Sequence, residues 1–222
     1  MAGIADNLQV ISARISRARG VTLLAVSKGQ PVARIEQAVS AGQKAFGENY
    51  VQEAVQKMEV LPALEWHLIG PLQSNKTRIA AERFAWVQTV ASEKIARRLS
   101  EQRPASLPPL NVLIQVNVSG EASKSGVELD EVENLARAIA TLPRLKLRGL
   151  MAIPEPEGDF DTQRVPHRAL ARLLYDLNAA GQALDTLSMG MSADLEAAIA
   201  EGATVVRVGG AIFGERRRPA AS

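Results

Sequence analysis

A lysine that follows an apolar run is the residue whose type and position most directly suggest chemistry in this sequence. Lys28 comes two residues after the run 21–26, which is apolar enough to form a buried strand. A primary amine at a strand end can form a Schiff base with an aldehyde, provided that burial lowers its pKa from the ordinary value of about 10.4. Most lysines at strand ends are solvated, so this residue alone gives weak support for a covalent site.

Two glycine-bearing loops near the other end of the sequence have the composition of anion sites. The segments 187–192 and 207–214 each read as a strand end followed by a tight loop rich in backbone amides. Ser192 can offer a hydroxyl and open the following helix, and Gly209 and Gly210 let the backbone approach a ligand. Either loop alone is better explained as a helix cap or a turn, but as a pair on consecutive strand ends they favour a phosphate. Together with Lys28 they suggest a phosphorylated aldehyde cofactor.

Arg207 lies within the apolar strand 205–208, where a charged side chain must point to solvent or to a polar site. Its guanidinium can donate to a ring nitrogen and keep that nitrogen unprotonated, which weakens a pyridine ring as an electron sink. A buried ion pair with a neighbouring acidic residue explains the position equally well.

Two more polar residues, Asn49 and His67, lie at the second and third predicted strands and can line the same site as Lys28 and the two loops. A histidine satisfied by a buried neighbour is the more common situation, and Asn49 can instead shape the turn 47–50. Both alternatives stay open at the level of sequence.

Two other segments resemble phosphate sites less well. Residues 70–77 nearly match the phosphate-binding loop GxxxxGK[ST], but Asn75 occupies the second required glycine and Pro71 restricts the turn. We therefore expect no nucleoside triphosphate binding. The polar loop 123–126 is typical of a solvated loop, although Lys124 can meet a second anion.

Helical and strand patterns alternate along the whole sequence. Ile4, Leu8, Ile11 and Ile15 form one face of an opening helix, and a polar loop extends to about Arg164 before a long leucine-rich helix. We predict eight strands, at residues 21–26, 45–47, 65–70, 85–88, 110–116, 147–151, 185–188 and 205–208. This alternation favours a (β/α)8 barrel with an extra N-terminal helix, in which the ends of the strands carry the site.

Composition limits the class of protein. The 222 residues are 46% hydrophobic and 23% charged, and the formal charge is only +2, so we expect one soluble α/β domain over 1–222 with no nucleic acid as partner. The chain has no cysteine and two histidines, which excludes thiolate chemistry and leaves little for a metal site. Without a signal-peptide pattern or a long apolar segment, we expect a cytoplasmic protein that does not bind a membrane, with residues 215–222 as a frayed basic tail.

Seven segments in order resemble the pyridoxal phosphate homeostasis protein family (YggS or PROSC-like), over roughly residues 5–215. They are AVSKGQP, FGENYVQEA, WHLIGPLQSNK, VNVSGEASKSG, LRGLMAIPEP, LSMGMSADLEAAIAEG and VRVGGAIFGER. The resemblance implies a barrel similar to the N-terminal domain of alanine racemase, with pyridoxal 5'-phosphate (PLP) joined to Lys28. It also implies that Arg207 faces the pyridine nitrogen and that Ser192, Gly209 and Gly210 receive the phosphate. From the same motifs we add Asn49 and Met189 to the expected cofactor-binding residues.

The sequence departs from the family pattern at Gly210, where the family usually has serine or threonine, so we expect weaker retention of the cofactor. The chain also ends after the barrel and is expected to lack the second domain that gives alanine racemases an opposing tyrosine and a dimeric active site. Acid and base chemistry on both faces of a substrate is then difficult to supply, and a monomer is favoured.

These observations lead to one functional hypothesis and two alternatives. We expect a protein that holds PLP as an internal aldimine and serves vitamin B6 homeostasis or delivery of the cofactor to apo PLP enzymes, without a dedicated turnover reaction. The first alternative is a PLP-dependent amino-acid racemase whose base is His67, Tyr50 or another residue of the mouth. The second is a barrel scaffold that binds another phosphate ester or a protein partner.

Overall fold

The strands of the chain close into one barrel of eight parallel strands, as the alternation predicts. The structure, a computed structural model, describes residues 3–16, 18, 20–119, 125–155 and 158–214. Each strand pairs with the next one along the chain, and the last pairs with the first. The predicted (β/α)8 architecture is therefore confirmed.

The elements follow in strict alternation after the N-terminal helix. The strands are β1 (Thr22–Val26), β2 (Ala45–Glu48), β3 (Glu65–Leu68), β4 (Trp86–Val90), β5 (Leu110–Gln115), β6 (Leu145–Met151), β7 (Thr186–Ser188) and β8 (Val205–Val208). The helices are α1 (Ile4–Ile15), α2 (Val32–Ser40), α3 (Val51–Val60), α4 (Thr77–Arg83), α5 (Glu93–Gln102), α6 (Val132–Ala140), α7 (Phe160–Ala179), α8 (Leu195–Ala200) and α9 (Gly210–Phe213). A short 3-10 helix, Ser74–Lys76, precedes α4.

Apolar side chains divide into a large outer core and a small inner one. The outer core lies between the strands and the helices and contains most of the buried aliphatic residues. A second cluster consists of Leu24, Ala45, Ile69 and Val205, with Val26 packed against it. Because successive residues of a strand point to opposite faces, this second cluster belongs to the interior of the barrel.

The pairing of β1 with β8 brings the two ends of the sequence together. Leu24 is opposite Arg207, and Ala25 is opposite Val208. A Cβ atom on Gly209 would lie only 3.1 Å from the carbonyl oxygen of Val26, so a side chain at this position would push the two strand ends apart by a few tenths of an ångström. The turn that carries Lys28 therefore lies beside the loop that follows β8.

The predicted buried face of α1 is confirmed, because Ile4, Leu8, Ile11 and Ile15 are all buried. This helix packs against α2 and α9. The amide of Asn7 donates a 2.9 Å hydrogen bond to the carbonyl of Ile212 in α9, so the N-terminal helix contacts the element that follows the last strand.

Helix α7 begins earlier than the sequence suggested. The prediction of a loop as far as about Arg164 is wrong, since the helix starts at Phe160. Asp159 caps it by accepting 2.9 Å hydrogen bonds from the backbone amide and the hydroxyl of Thr162. The helix also contains Pro166, whose presence favours a loop in a sequence-based prediction.

The described ranges contain neither a membrane-spanning helix nor a cluster of metal ligands. None of the helices is both long and apolar enough to cross a membrane. Within the same ranges, no three of the His, Asp and Glu residues cluster in a way that could hold a metal ion.

Candidate functional site

A cavity of about 490 Å³ opens at the carboxyl ends of the strands. Six of the seven residues expected from the sequence line it: Lys28, Asn49, Ser192, Arg207, Gly209 and Gly210. The seventh, Met189, is fully buried in the outer core, and Met191, two residues further on, lines the cavity instead. The fold thus gathers residues from four separate strand ends around one space.

The turn that carries Lys28 is held on both sides by side chains from neighbouring elements. Ser27, just before the lysine, donates from its hydroxyl to Glu48 Oε1 over 2.5 Å. The backbone amide of Gly29, just after it, donates to Glu53 Oε1 over 2.6 Å. The half-buried Lys28 therefore projects from a fixed turn.

A buried lysine, which sequence reasoning missed, connects these contacts. Lys57 Nζ donates three hydrogen bonds, to the carbonyl of Ser27 at 2.8 Å and to Glu48 Oε1 and Glu53 Oε1 at 2.7 Å each. An ammonium has three protons to donate, and all three are used. The spacing of Glu53 and Lys57 by four residues on α3 is the one sequence signal for this group.

Glu48 is the most strongly buried carboxylate of this group, with no exposed surface. Burial raises its pKa, while the charge and the hydrogen bond of Lys57 and the hydroxyl of Ser27 act in the opposite direction. Its second oxygen, Oε2, is buried without a hydrogen-bond partner. Lys57 is therefore the main compensation for a carboxylate that sits directly before Asn49 of the cavity wall.

Arg207 is almost completely buried at the floor of the cavity. Its guanidinium donates from Nη1 to Ser188 Oγ and from Nη2 to the carbonyl oxygen of Ala152, both at 2.7 Å. Both acceptors are neutral, and among the residues that the structure describes no carboxylate forms a direct ion pair with Arg207. Burial lowers the pKa to about 10, which the more distant charge of Asp194 partly offsets. The side chain is accordingly a cation at neutral pH.

The loop after β7 is organised by an aspartate. Asp194 accepts a 2.7 Å hydrogen bond from the amide of Met191 and a 2.9 Å hydrogen bond from His167. Burial opposes its charge, but these hydrogen bonds lower its pKa.

The expectation that Ser192 opens the following helix is wrong, because α8 starts at Leu195 with Asp194 at the N-cap. Ser192 instead lies in the preceding turn, facing the cavity.

The loop after β8 leads directly into α9. Gly209 is at the N-cap position and Gly210 is the first residue of the helix. Unlike Gly209, Gly210 has open space where a Cβ would be, with nothing within 4 Å. A small side chain at position 210 therefore fits without displacing a neighbour.

In the segment 70–77, which nearly matches a nucleotide-binding loop, Gly70 is explained by packing against the backbone of Asn49. A Cβ atom on Gly70 would lie 2.2 Å from the carbonyl oxygen of Asn49, so glycine is required for the chain after β3 to pass behind the cavity wall. The 3-10 helix Ser74–Lys76 follows, where a phosphate-binding loop would need its second glycine.

His67 does not line the cavity. It is buried inside the barrel, stacked on Trp86 with ring centroids 5.2 Å apart, and its nitrogens contact Glu65 and Gln88. Burial lowers the pKa of His67, and this effect outweighs the opposite effect of the Glu65 carboxylate.

Two basic segments named in the sequence analysis, Lys124 and residues 216–218, lie outside the described residues.

The comparisons with known proteins agree with this geometry. The fold and the cavity define a barrel of the alanine racemase type, and the family model described as "Alanine racemase, N-terminal domain" matches residues 1–217. Proteins named pyridoxal phosphate homeostasis protein are 56% identical in Pseudomonas aeruginosa and 52% identical in Escherichia coli (strain K12). Each alignment covers 97% of this chain, with 97% and 95% of the two relatives. The chain belongs to the pyridoxal phosphate homeostasis protein family.

Solved structures extend the comparison. PipY of Synechococcus elongatus, in a structure with PLP bound, is 35% identical with a TM-score of 0.86, over 95% of this chain and 100% of that one. Alanine racemase of Corynebacterium glutamicum is 22% identical with a TM-score of 0.75 and is matched over 60% of its own length. The second likeness concerns the fold alone.

Proposed function

We propose that this protein binds PLP covalently through Lys28 and serves vitamin B6 homeostasis, without a dedicated turnover reaction. The observation that carries the proposal is a single cavity lined by a lysine amine, a buried guanidinium and two loops rich in backbone amides. The relatives' name and the PLP-bound PipY structure support the same ligand.

The residues fit the chemistry of this cofactor. Bound PLP supplies an aldehyde that an amine can attack, a pyridine ring and a dianionic phosphate. Lys28 is the only amine among the described residues that line the cavity. The amides around Ser192 and Gly210 suit a phosphate, and Arg207 supplies a charged donor for the ring nitrogen. A volume of about 490 Å³ is in the usual range for small-ligand sites.

A carrier role agrees better with the cavity wall than a racemase role. Of the described residues that line the cavity, none is a histidine or a tyrosine that could act as a second acid or base. Tyr50 is 64% exposed, and His67 is buried below the cavity. The protein is proposed to act as a monomeric single domain in the cytoplasm, with apo PLP enzymes as recipients of the cofactor.

The test is borohydride reduction of the protein after addition of PLP, followed by peptide mapping. The expected result is one modified peptide containing Lys28, absent from Lys28→Ala and present in Lys94→Ala, which removes an exposed lysine on α5. A wild-type protein that bound inorganic phosphate but gave no modified peptide would favour the scaffold alternative. Exchange of the α-proton of an added amino acid, lost in Lys28→Ala, would favour a racemase.

A further inference from the structure

A line of hydrogen bonds crosses the interior of the barrel from the cavity toward its opposite end. Arg207 Nη1 donates to Ser188 Oγ over 2.7 Å, and Ser188 Oγ lies 2.6 Å from Gln88 Oε1. Gln88 Nε2 lies 2.8 Å from His67 Nδ1, and His67 Nε2 lies 2.8 Å from Glu65 Oε1. This interior chain joins β8, β7, β4 and β3.

With a neutral histidine, the donors and acceptors allow one direction for the bonds of the interior chain. Arg207 can only donate, so the hydroxyl proton of Ser188 is available for Gln88 Oε1. The amide nitrogen of Gln88 then faces His67 and donates to Nδ1. The imidazole proton must therefore be on Nε2, where it is donated to the carboxylate of Glu65.

The reverse direction requires a charged histidine. If the Gln88 amide were turned around, its oxygen would need a proton on His67 Nδ1, while Glu65 would still need one on Nε2. Only the imidazolium has both. His67 is almost completely buried, and loss of solvation disfavours that charge, so the neutral ring and the forward direction are favoured.

We propose that Ser188, Gln88 and His67 are positioning residues that hold Arg207 for the cofactor. Ser188 and Gln88 have no exposed surface and do not belong to the cavity lining, and the side chain of Ser188 is connected to the cavity through its hydrogen bond with Arg207. A guanidinium has five N–H groups. Ser188 and the carbonyl of Ala152 take two of them and thereby fix the plane in which the others are presented. This inference rests on the proposed function for its ligand.

The test is a double-mutant cycle on the Kd for PLP, measured by absorbance titration. Ser188→Ala is expected to raise Kd about tenfold, the usual effect of one hydrogen bond to a charged group. In an Arg207→Met background, the same substitution is expected to change Kd by less than about twofold, because its effect passes through the arginine. Thr186→Val, which removes another buried hydroxyl of β7, is the matched control and is expected to leave Kd unchanged.

Two results would overturn the positioning role: an equal loss of affinity in both backgrounds, or no difference between Ser188→Ala and Thr186→Val. A second measurement needs no cofactor. The chain has only two histidines, so 15N NMR of the ligand-free wild type can report the His67 tautomer, with His67→Gln used for assignment. A proton on Nε2 is expected, and a proton on Nδ1 alone would overturn the interior chain. If the wild type bound no PLP, the proposed function would fail, while the NMR result would still decide the chain.

Discussion

Lys57 donates a 2.7 Å hydrogen bond to Glu48 Oε1, and both side chains are buried behind the turn that carries Lys28. The pair joins the end of β2 to α3. Through the carbonyl and the hydroxyl of Ser27, it also holds the end of β1. The candidate attachment lysine is therefore fixed by a second lysine that does not reach the cavity.

Removal of Lys57 is expected to destabilise the fold strongly. Lys57→Met leaves Glu48 buried without its cation, which typically lowers the free energy of unfolding by about 3–5 kcal/mol. Arg97→Ala removes an exposed partner of Glu93 on α5 and is expected to cost less than about 1 kcal/mol. Urea denaturation compares the two. A loss for Lys57→Met no larger than that for Arg97→Ala would contradict a structural role for the pair.

Restoring a hydroxyl at position 210 is expected to strengthen cofactor binding. Gly210→Ser places its side chain in open space at the start of α9, where the hydroxyl can donate to the phosphate. One such charged hydrogen bond lowers Kd by about tenfold. Gly210→Ala adds the same Cβ without the hydroxyl and serves as the control. If both variants changed Kd equally, the gain would come from the backbone and not from a hydroxyl contact.

Gly70→Ala is expected to disturb the cavity wall from behind. Its Cβ would lie 2.2 Å from the carbonyl oxygen of Asn49, which forces the backbone to move and typically costs about 1–3 kcal/mol. We expect a lower urea midpoint together with a higher Kd for PLP. Gly158→Ala, at a position with no atom within 4 Å of the added Cβ, is the matched control. An unchanged Kd would show that Asn49 does not depend on this contact.

His67 gives the stability a specific pH dependence. Burial lowers its pKa below the ordinary 6.5, so between the two values the unfolded chain binds a proton that the folded protein does not. Stability therefore falls as the pH drops below about 6.5, by at most about 1.4 kcal/mol per pH unit.

The comparison is between wild type and His67→Gln, by urea denaturation from pH 7.5 to 5. The raised pKa of Glu48 acts with the opposite sign in part of this range, but it is present in both proteins and cancels in the difference. The variant is expected to lose less stability than the wild type as the pH falls. Parallel curves for the two proteins would rule out a buried neutral histidine.

The sequence by itself determined the barrel and the position of most of the candidate site. Strand and helix patterns are local, and parallel strands in alternation place their carboxyl ends on one face. For this reason Lys28 and the loops after β7 and β8 could be assigned to one site from residue types and order alone, and the cavity brings them together. The family motifs supplied the identity of the ligand, which no periodicity contains.

Only the tertiary structure decided which side chains meet inside the barrel. Gln88 and Ser188 are 100 residues apart in the chain, and their contact depends on how strands are staggered around a closed sheet. The same is true of the choice between Met189 and Met191 at the cavity, because Gly190 between them has a φ of 89° and interrupts the alternation of an extended chain. Whether Arg207 has an acidic or a neutral partner is likewise a property of the packed interior, because burial and neighbours, not sequence spacing, set the cost of its charge.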